Sequence, residues 1–298
     1  MDGMDQEQRS KIAQGAGFLA ALDQSGGSTP KALELYGVPD SAYANDDQMF
    51  DLMHEFRARI IASPAFTGER ILGAILFEQT MDRDVDGLAT PQYLWERKSV
   101  VPFVKVDEGL AAESDGVRLM KPFTRLDSLL ERARKRGIFG TKMRSFISGA
   151  DAGGIAAVLD QQFGYAAPIL DAGLVPILEP EVDIHSGTKQ QAEELLKQGV
   201  LDRLASVPDG RDVMLKLSIP TVDDFYADLI AHPRVLRVVA LSGGYAQQEA
   251  DTRLARNHGL IASFSRALVQ DLRRQQSAEE FDRTLDEAIR AIYAASVA

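Results

Sequence analysis

At 298 residues the chain is long enough for one large α/β barrel or for two ordinary domains, and 45% hydrophobic against 26% charged residues is the balance of a soluble globular protein. With no cysteine, disulfides, thiolate metal sites and thiol nucleophiles are excluded. A formal net charge of -11 opposes broad contact with nucleic acid or an anionic membrane, so any anionic ligand must be met by a local cluster of cations and backbone N–H groups.

The opening segment, MDGMDQEQRS, is acidic and polar rather than a signal peptide, and no run of about 18 apolar residues follows, which fits a cytoplasmic protein. Residues 6–14 (QEQRSKIAQ) are expected to form a helix. Eight short apolar runs then succeed one another: 17–23 (GFLAALD), 71–78 (ILGAILFE), 100–107 (VVPFVKVD), 139–144 (FGTKMR), 174–181 (LVPILEPE), 213–219 (VMLKLSI), 235–243 (VLRVVALSG) and 260–266 (LIASFSR). Between them lie segments of helical periodicity, among them 128–136, 156–173 and 192–207, and a last helix is expected over 278–295. Strands alternating with helices indicate parallel βαβ units, and eight of them predict a (β/α)8 TIM barrel flanked by terminal helices. The runs are apolar almost throughout, as strands covered on both faces should be. No Gly/Ser-rich or Pro-rich linker divides the chain, so 1–298 is expected to be a single domain; a doubly wound sheet would be the alternative, but no G-x-G-x-x-G follows the first run.

In such a barrel the C-terminal ends of the strands converge on one mouth, where the chemistry sits. Those ends carry, in order, Asp23, Glu78, Lys105 with Asp107, Lys142 with Arg144, Glu179 with Glu181, Lys216, Ser242 and Arg266, whereas the strand starts are apolar. Pairs two residues apart point to the same side of their strand. Glu78, Asp107 and Glu181 serve equally well as strand-end partners in salt bridges, with Lys142 and Arg144 completing a structural network. Lys216 stands apart, because apolar residues flank it on both sides and a lysine taken out of water is costly. Its stem could snorkel to the surface. The sharper reading is an amine nucleophile, desolvated and set beside other cations such as Lys142 and Arg144.

Two candidate anion sites flank that lysine. Ser242, Gly243 and Gly244 end the seventh run, and Arg266 follows the eighth, the habitual phosphate position of these barrels. Ser25, Gly26, Gly27, Ser28 and Lys31 follow the first run, with Lys105 across the mouth; a plain helix start, with Ser28 or Thr29 as cap and Pro30 at the first position, also explains that stretch. Two such sites suggest a substrate phosphorylated at both ends. A lysine imine would then act as electron sink for carbon–carbon cleavage, with Glu179 and Glu181, their carboxyls raised toward neutrality in a closed site, as proton shuttle and Asp23 accepting a proton from a substrate hydroxyl. Neither a metal nor an organic cofactor is required. The four histidines (His54, His185, His232, His258) are scattered without metal-ligand spacing.

Taken together, ALDQSGGS, FVKVD, TKMR, VPILEPE, MLKLSIPT, LSGG and SFSRAL resemble class I fructose-bisphosphate aldolase, most closely its short bacterial form, from about residue 17 to the last helix. The resemblance implies reversible cleavage of fructose 1,6-bisphosphate to dihydroxyacetone phosphate and glyceraldehyde 3-phosphate. It implies Lys216 as the Schiff-base lysine, Glu179 as proton acceptor and donor, and Asp23 on the sugar hydroxyl. Lys142, Arg144 and Lys105 would line the site, Ser242, Gly243, Gly244 and Arg266 would bind one phosphate, and Ser25 and Ser28 would help hold the other. Barrels of this family commonly associate into homo-oligomers. The sequence departs from the animal pattern at Gln24, where an acid is usual, at Ala32, where a base is usual, and at its end, where Tyr293 lies in a helical pattern instead of a mobile tail. The residues alone leave three rivals: a metal-assisted lyase using Glu78, Asp107, Glu179 and Glu181 as oxygen ligands, a transaldolase-like enzyme, and a catalytically silent binder of sugar phosphates.

Overall fold

A computed structural model describes residues 3–26 and 28–298, so Gly27 lies outside the described residues. Helix α1 (Gly3–Gln14) precedes strand β1 (Phe18–Leu22), which is followed by α2 (Ser28–Tyr36) and α3 (Asp46–Ala62). Next come β2 (Ile71–Leu76), the short α4 (Glu78–Met81), a two-stranded hairpin over 84–89, α5 (Thr90–Lys98) and β3 (Val101–Lys105). Then follow α6 (Leu126–Lys135), β4 (Gly140–Ile147), α7 (Ala152–Asp171), β5 (Val175–Val182), α8 (Lys189–Leu204), β6 (Val213–Ser218), α9 (Ala227–Ile230), β7 (Val235–Leu241), α10 (Gln247–Leu254), β8 (Ile261–Ala262), α11 (Arg266–Val269) and α12 (Ala278–Ser296). The eight strands pair in sequence order, all in parallel, and β8 lies beside β1 to make a nearly closed barrel. One extra piece, Val117–Arg118, adds antiparallel to the far end of β4. Each expected run thus becomes a barrel strand; β4 and β5 run on to Ile147 and Val182, past the ends expected from sequence.

The helix boundaries follow from local chemistry. Asn45 caps α3 by accepting the Gln48 N–H at 3.0 Å, and Asp46 and Asp47 favour the positive end of its dipole. Ser277 and Glu280 form a reciprocal capping box at the start of α12. That helix buries Phe281, Leu285, Ile289 and Ile292, a stripe at helical spacing. It packs over β8 and β1, where Ser296 Oγ accepts the Ala262 N–H at 3.0 Å.

The barrel interior is filled in columns. From the floor, Leu19, Phe103, Ile177, Met214, Val239 and Ile261 form an apolar layer with Ile12 of α1, which plugs the bottom. Two residues further along the same strands come Ala21, Lys105, Glu179, Lys216, Leu241 and Ser263, and β4 contributes Lys142 at this level. Side chains alternate across a strand, so residues two apart share a face; the columns of β3, β4, β5, β6 and β8 pass from apolar floor to polar mouth, while Ala21 and Leu241 keep those of β1 and β7 apolar at this level. Gly140 begins the β4 column because a Cβ there would meet Val175 O at 2.3 Å and the Phe103 ring at 2.8 Å. Among the described residues no helix is long and apolar enough to cross a membrane.

Candidate active site

The mouth of the barrel opens on a cavity of about 220 Å3 lined by Asp23, Lys142, Glu179, Glu181, Lys216, Ser242, Gly243, Gly244 and Arg266, with Ala21, Leu241, Ser263 and Ser265. Nine of the residues singled out from sequence therefore converge here, from β4, β5 and β6, from the segments just past β1 and β7, and from the start of α11. The second strand contributes nothing to this cavity. Glu78 instead opens α4 and is tied to Arg125 at 3.0 Å and Arg132 at 2.8 Å.

At the centre is a row of alternating charges. Asp23 Oδ2 lies 2.8 Å from Lys142 Nζ, Lys142 Nζ lies 2.6 Å from Glu179 Oε2, and Glu179 Oε1 lies 3.0 Å from Lys216 Nζ. Lys216 is 4% exposed and Glu179 3%, so the lysine does not snorkel; its ammonium ends inside the barrel. Charges this deep persist only when paired, and the row pairs all four.

Burial alone would push the Glu179 carboxyl up, but Lys142 and Lys216 outweigh it and hold the group below the ordinary carboxylate range. The expectation that a closed site would raise Glu179 toward neutrality is therefore corrected: the carboxylate sits between two ammonium groups. Asp23 follows the same logic, with burial overcome by Lys142, Lys216 and Lys105, and is held well below its usual range. Lys142 is pushed well above the usual lysine range, because Asp23, Glu179 and Asp107 outweigh its burial. Lys142 thus remains a cation, and the carboxylates beside it offset its repulsion of Lys216.

On the rim, Arg144 Nε donates to Glu181 Oε2 at 2.5 Å, and the guanidinium is held above its usual range despite burial. Lys105 is the register partner of Lys142, and its Nζ meets Asp107 Oδ1 at 2.7 Å. It faces a second cavity of about 550 Å3 that also holds Ser25, Asp107, Lys121 and Arg125. Ser28 lines neither cavity; its hydroxyl donates to Ser25 O at 2.9 Å and accepts the Ser25 N–H at 3.1 Å, pinning the turn into α2. That helix begins at Ser28, so Pro30 is its third residue and not its first. The four carboxylates considered as metal ligands are each paired with a cation: Glu78 with arginines, Asp107 with Lys105, Glu179 with lysines and Glu181 with Arg144. Among the described residues no group of three or more His, Asp or Glu side chains is placed to hold a metal ion.

Several contributors escaped the sequence. Ser218 Oγ donates to Val182 O at 2.6 Å and accepts the Val182 N–H at 3.0 Å, locking the lysine strand to the glutamate strand. Behind β6, buried Lys189 pairs with buried Glu193 and donates to Ile219 O at 2.9 Å, while Glu193 Oε2 accepts the Thr221 N–H at 3.0 Å. Arg57 of α3 is buried beside Gln24. A serine, a lysine four residues before a glutamate, and an arginine inside an amphipathic helix carry no local mark of these roles; only a polar residue on an otherwise buried helix face hints at them.

Comparisons with known proteins agree with this geometry. Residues 4–217 match the family model described as "Glycolytic: Fructose-bisphosphate aldolase class-I". A curated protein of Synechocystis, "Fructose-bisphosphate aldolase class 1", is 60% identical over 98% of this chain and 98% of its own. A Clostridium acetobutylicum protein of the same name is 56% identical over 99% of this chain and all of its own. Among solved structures, fructose-bisphosphate aldolase from Plasmodium falciparum superposes with a TM-score of 0.72 at 20% identity, over 99% of this chain and 95% of that one, a likeness of fold. The chain belongs to the class I fructose-bisphosphate aldolase family.

Proposed function

We propose that the protein cleaves fructose 1,6-bisphosphate reversibly to dihydroxyacetone phosphate and glyceraldehyde 3-phosphate, without a metal, through an imine on Lys216. The observation that carries the assignment of roles is the 3.0 Å contact between Lys216 Nζ and Glu179 Oε1 at the foot of the cavity in the barrel mouth. Glu179, held as a carboxylate, takes the proton that frees the amine. Lys216 Nζ attacks the substrate C2 carbonyl, and Glu179 returns the proton so that the carbinolamine hydroxyl leaves as water. Asp23 accepts the C4 hydroxyl proton as the C3–C4 bond breaks, and the bonding pair passes into the iminium to give an enamine. The proton taken by Asp23 is then returned within the site to C3 of the enamine, giving back the iminium and the Asp23 carboxylate, and hydrolysis by one water releases the second product and restores the amine. Lys142, permanently charged, stabilises negative charge on oxygen between the two carboxylates.

Ser242, Gly243, Gly244 and Arg266 bind the phosphate nearer the imine, where the two glycines line the cavity with positive φ (61° and 120°), a backbone conformation that glycine adopts without strain. Ser25 and Lys105, with Lys121 and Arg125 at the edge of the second cavity, face the other phosphate, and Ser28 shapes that turn. Arg144 and Glu181 hold the rim between. We place the reaction in glycolysis, in the cytoplasm, and take 1–298 as one domain.

Borohydride trapping tests this reading. With dihydroxyacetone phosphate and a chelator present, reduction is expected to leave a stable adduct on the peptide containing Lys216, with cleavage activity retained. An adduct elsewhere, or none, removes Lys216 from its role; activity lost to the chelator returns the site to metal chemistry.

A further inference from the structure

Arg57 is 1% exposed, and its donors go only to neutral oxygens: Nη1 to Thr80 Oγ1 at 2.9 Å, and Nη2 to Gln24 O at 2.5 Å and Gln24 Oε1 at 3.3 Å. Its Nε has no partner among the described residues. Burial lowers it to about 9 from the usual arginine value, opposed by the charge of nearby Asp23. A buried guanidinium without a carboxylate against it is costly, and a simple hydrophobic residue would pack more cheaply. What the guanidinium secures is Gln24, the residue directly after Asp23. With its Oε1 turned toward Arg57, the amide points Nε2 the other way, where it donates to Ser265 Oγ at 2.6 Å and approaches Ala21 O at 3.4 Å.

The two bonded loops are the ones the proposed chemistry uses together. Gln24 extends from the end of β1, which presents Asp23, and Ser265 directly precedes Arg266 in the loop after β8. The strands β8 and β1 are neighbours on the one side of the barrel where no ladder hydrogen bonds join them. An amide at position 24 accepts from Arg57 at one end and donates to Ser265 at the other; a carboxylate there would neutralise Arg57 and could hold Ser265 only by reversing that bond and accepting its hydroxyl hydrogen.

Resting on the assignment of the site above, we propose that Gln24 is a positioning residue that ties the Asp23 loop to the Arg266 phosphate loop across the open seam of the barrel, with Arg57 as its buried anchor. Occupancy of the phosphate loop then sets the placement of the carboxylate that takes the hydroxyl proton.

The test is a double-mutant cycle on Q24A and S265A, read as the dihydroxyacetone phosphate concentration that half-saturates borohydride-trapped adduct on Lys216. Each single variant is expected to raise that concentration about fivefold, the scale of one hydrogen bond, and the double variant no further than either one. Q24E keeps its contact with Arg57 and can accept the Ser265 hydroxyl hydrogen, so it is expected to match or exceed wild-type thermal stability and to keep the wild-type half-saturation, whereas Q24A and S265A shift it. A merely structural role would instead make the shifts follow stability. Additive effects in the double variant, an unchanged half-saturation in Q24A, or a Q24E shift as large as that of Q24A would overturn the coupling while leaving the aldolase reading in place. A wild-type protein that forms no adduct on Lys216 would overturn both.

Discussion

Replacing Lys142 by methionine removes the central cation of the row and leaves its stem volume. Lys142 lies 2.8 Å from Asp23 and 2.6 Å from Glu179; at an effective dielectric near 20 each contact amounts to about 6 kcal/mol of Coulomb energy, most of it offset by desolvation of the partners. The net cost of breaking a buried pair by deleting one member is about 3–5 kcal/mol. That loss falls mainly on Asp23, since Glu179 keeps Lys216 at 3.0 Å. The pH dependence gives the diagnostic sign. In the wild type both carboxylates are held below their ordinary range, so their stabilisation is present above the unfolded carboxylate pKa of about 4 and is lost only as pH falls below it, through their lowered folded values. In the variant Asp23 loses its largest counter-charge and keeps only Lys216 and Lys105, so its folded proton affinity rises toward that of the unfolded chain and less of its stabilisation remains to be lost on acidification. Urea unfolding at neutral pH is expected to show the variant about 3–5 kcal/mol less stable, with the gap narrowing as pH falls below the unfolded carboxylate value of about 4. A gap that stayed constant over that range would refute the account of Lys142 as counter-charge to the two acids.

Ser218→Ala removes both bonds to Val182 and is expected to cost about 1–3 kcal/mol and to lower kcat more than it raises KM, because it loosens the spacing between the lysine and glutamate strands; an unchanged kcat would refute that role. Glu193→Gln leaves the buried Lys189 ammonium without its counter-charge, at about 3–5 kcal/mol near neutrality. Lys189 is already pushed below the usual lysine range by burial in spite of Glu193, so its neutral form is favoured on folding and the deficit should shrink as pH rises, which unfolding curves at alkaline pH would show. Lys105→Ala is expected to raise KM for fructose 1,6-bisphosphate at least about tenfold more than for fructose 1-phosphate, the scale of a lost charge-assisted bond; equal shifts for both substrates would separate Lys105 from the second phosphate.

The fold was legible because its signal repeats. Eight apolar runs spaced by helical segments leave few architectures, and the lysine within VMLKLSIP marks its own position by the cost of burying it. The helices most readily overlooked, α3 and α5, lie in the long connection on either side of β2, where a hairpin over 84–89 breaks the simple alternation. The site was legible as a set of residues but not as a network. Sequence places Glu179 at a strand end; the structure places it between two ammonium groups, and that placement reverses its expected proton affinity. Ser28 looks like a phosphate ligand by composition, yet its hydroxyl is spent on the turn that carries it. Bonds such as Gln24 to Ser265 join residues 241 positions apart and leave no trace in local pattern.

The charge row has an accounting property of its own. Asp23, Lys142, Glu179 and Lys216 sum to zero, two anions against two cations. An iminium on Lys216 carries the same single positive charge as the ammonium it replaces, so the covalent intermediate leaves that sum untouched. The nitrogen is uncharged in the amine, the carbinolamine and the enamine, and in those states the proton stays within the row, on Glu179 for the first two and on Asp23 for the third. On the proposed mechanism the barrel interior would therefore pass through a sequence of covalent states of constant total charge, with charge moving only between neighbouring groups and none crossing to solvent.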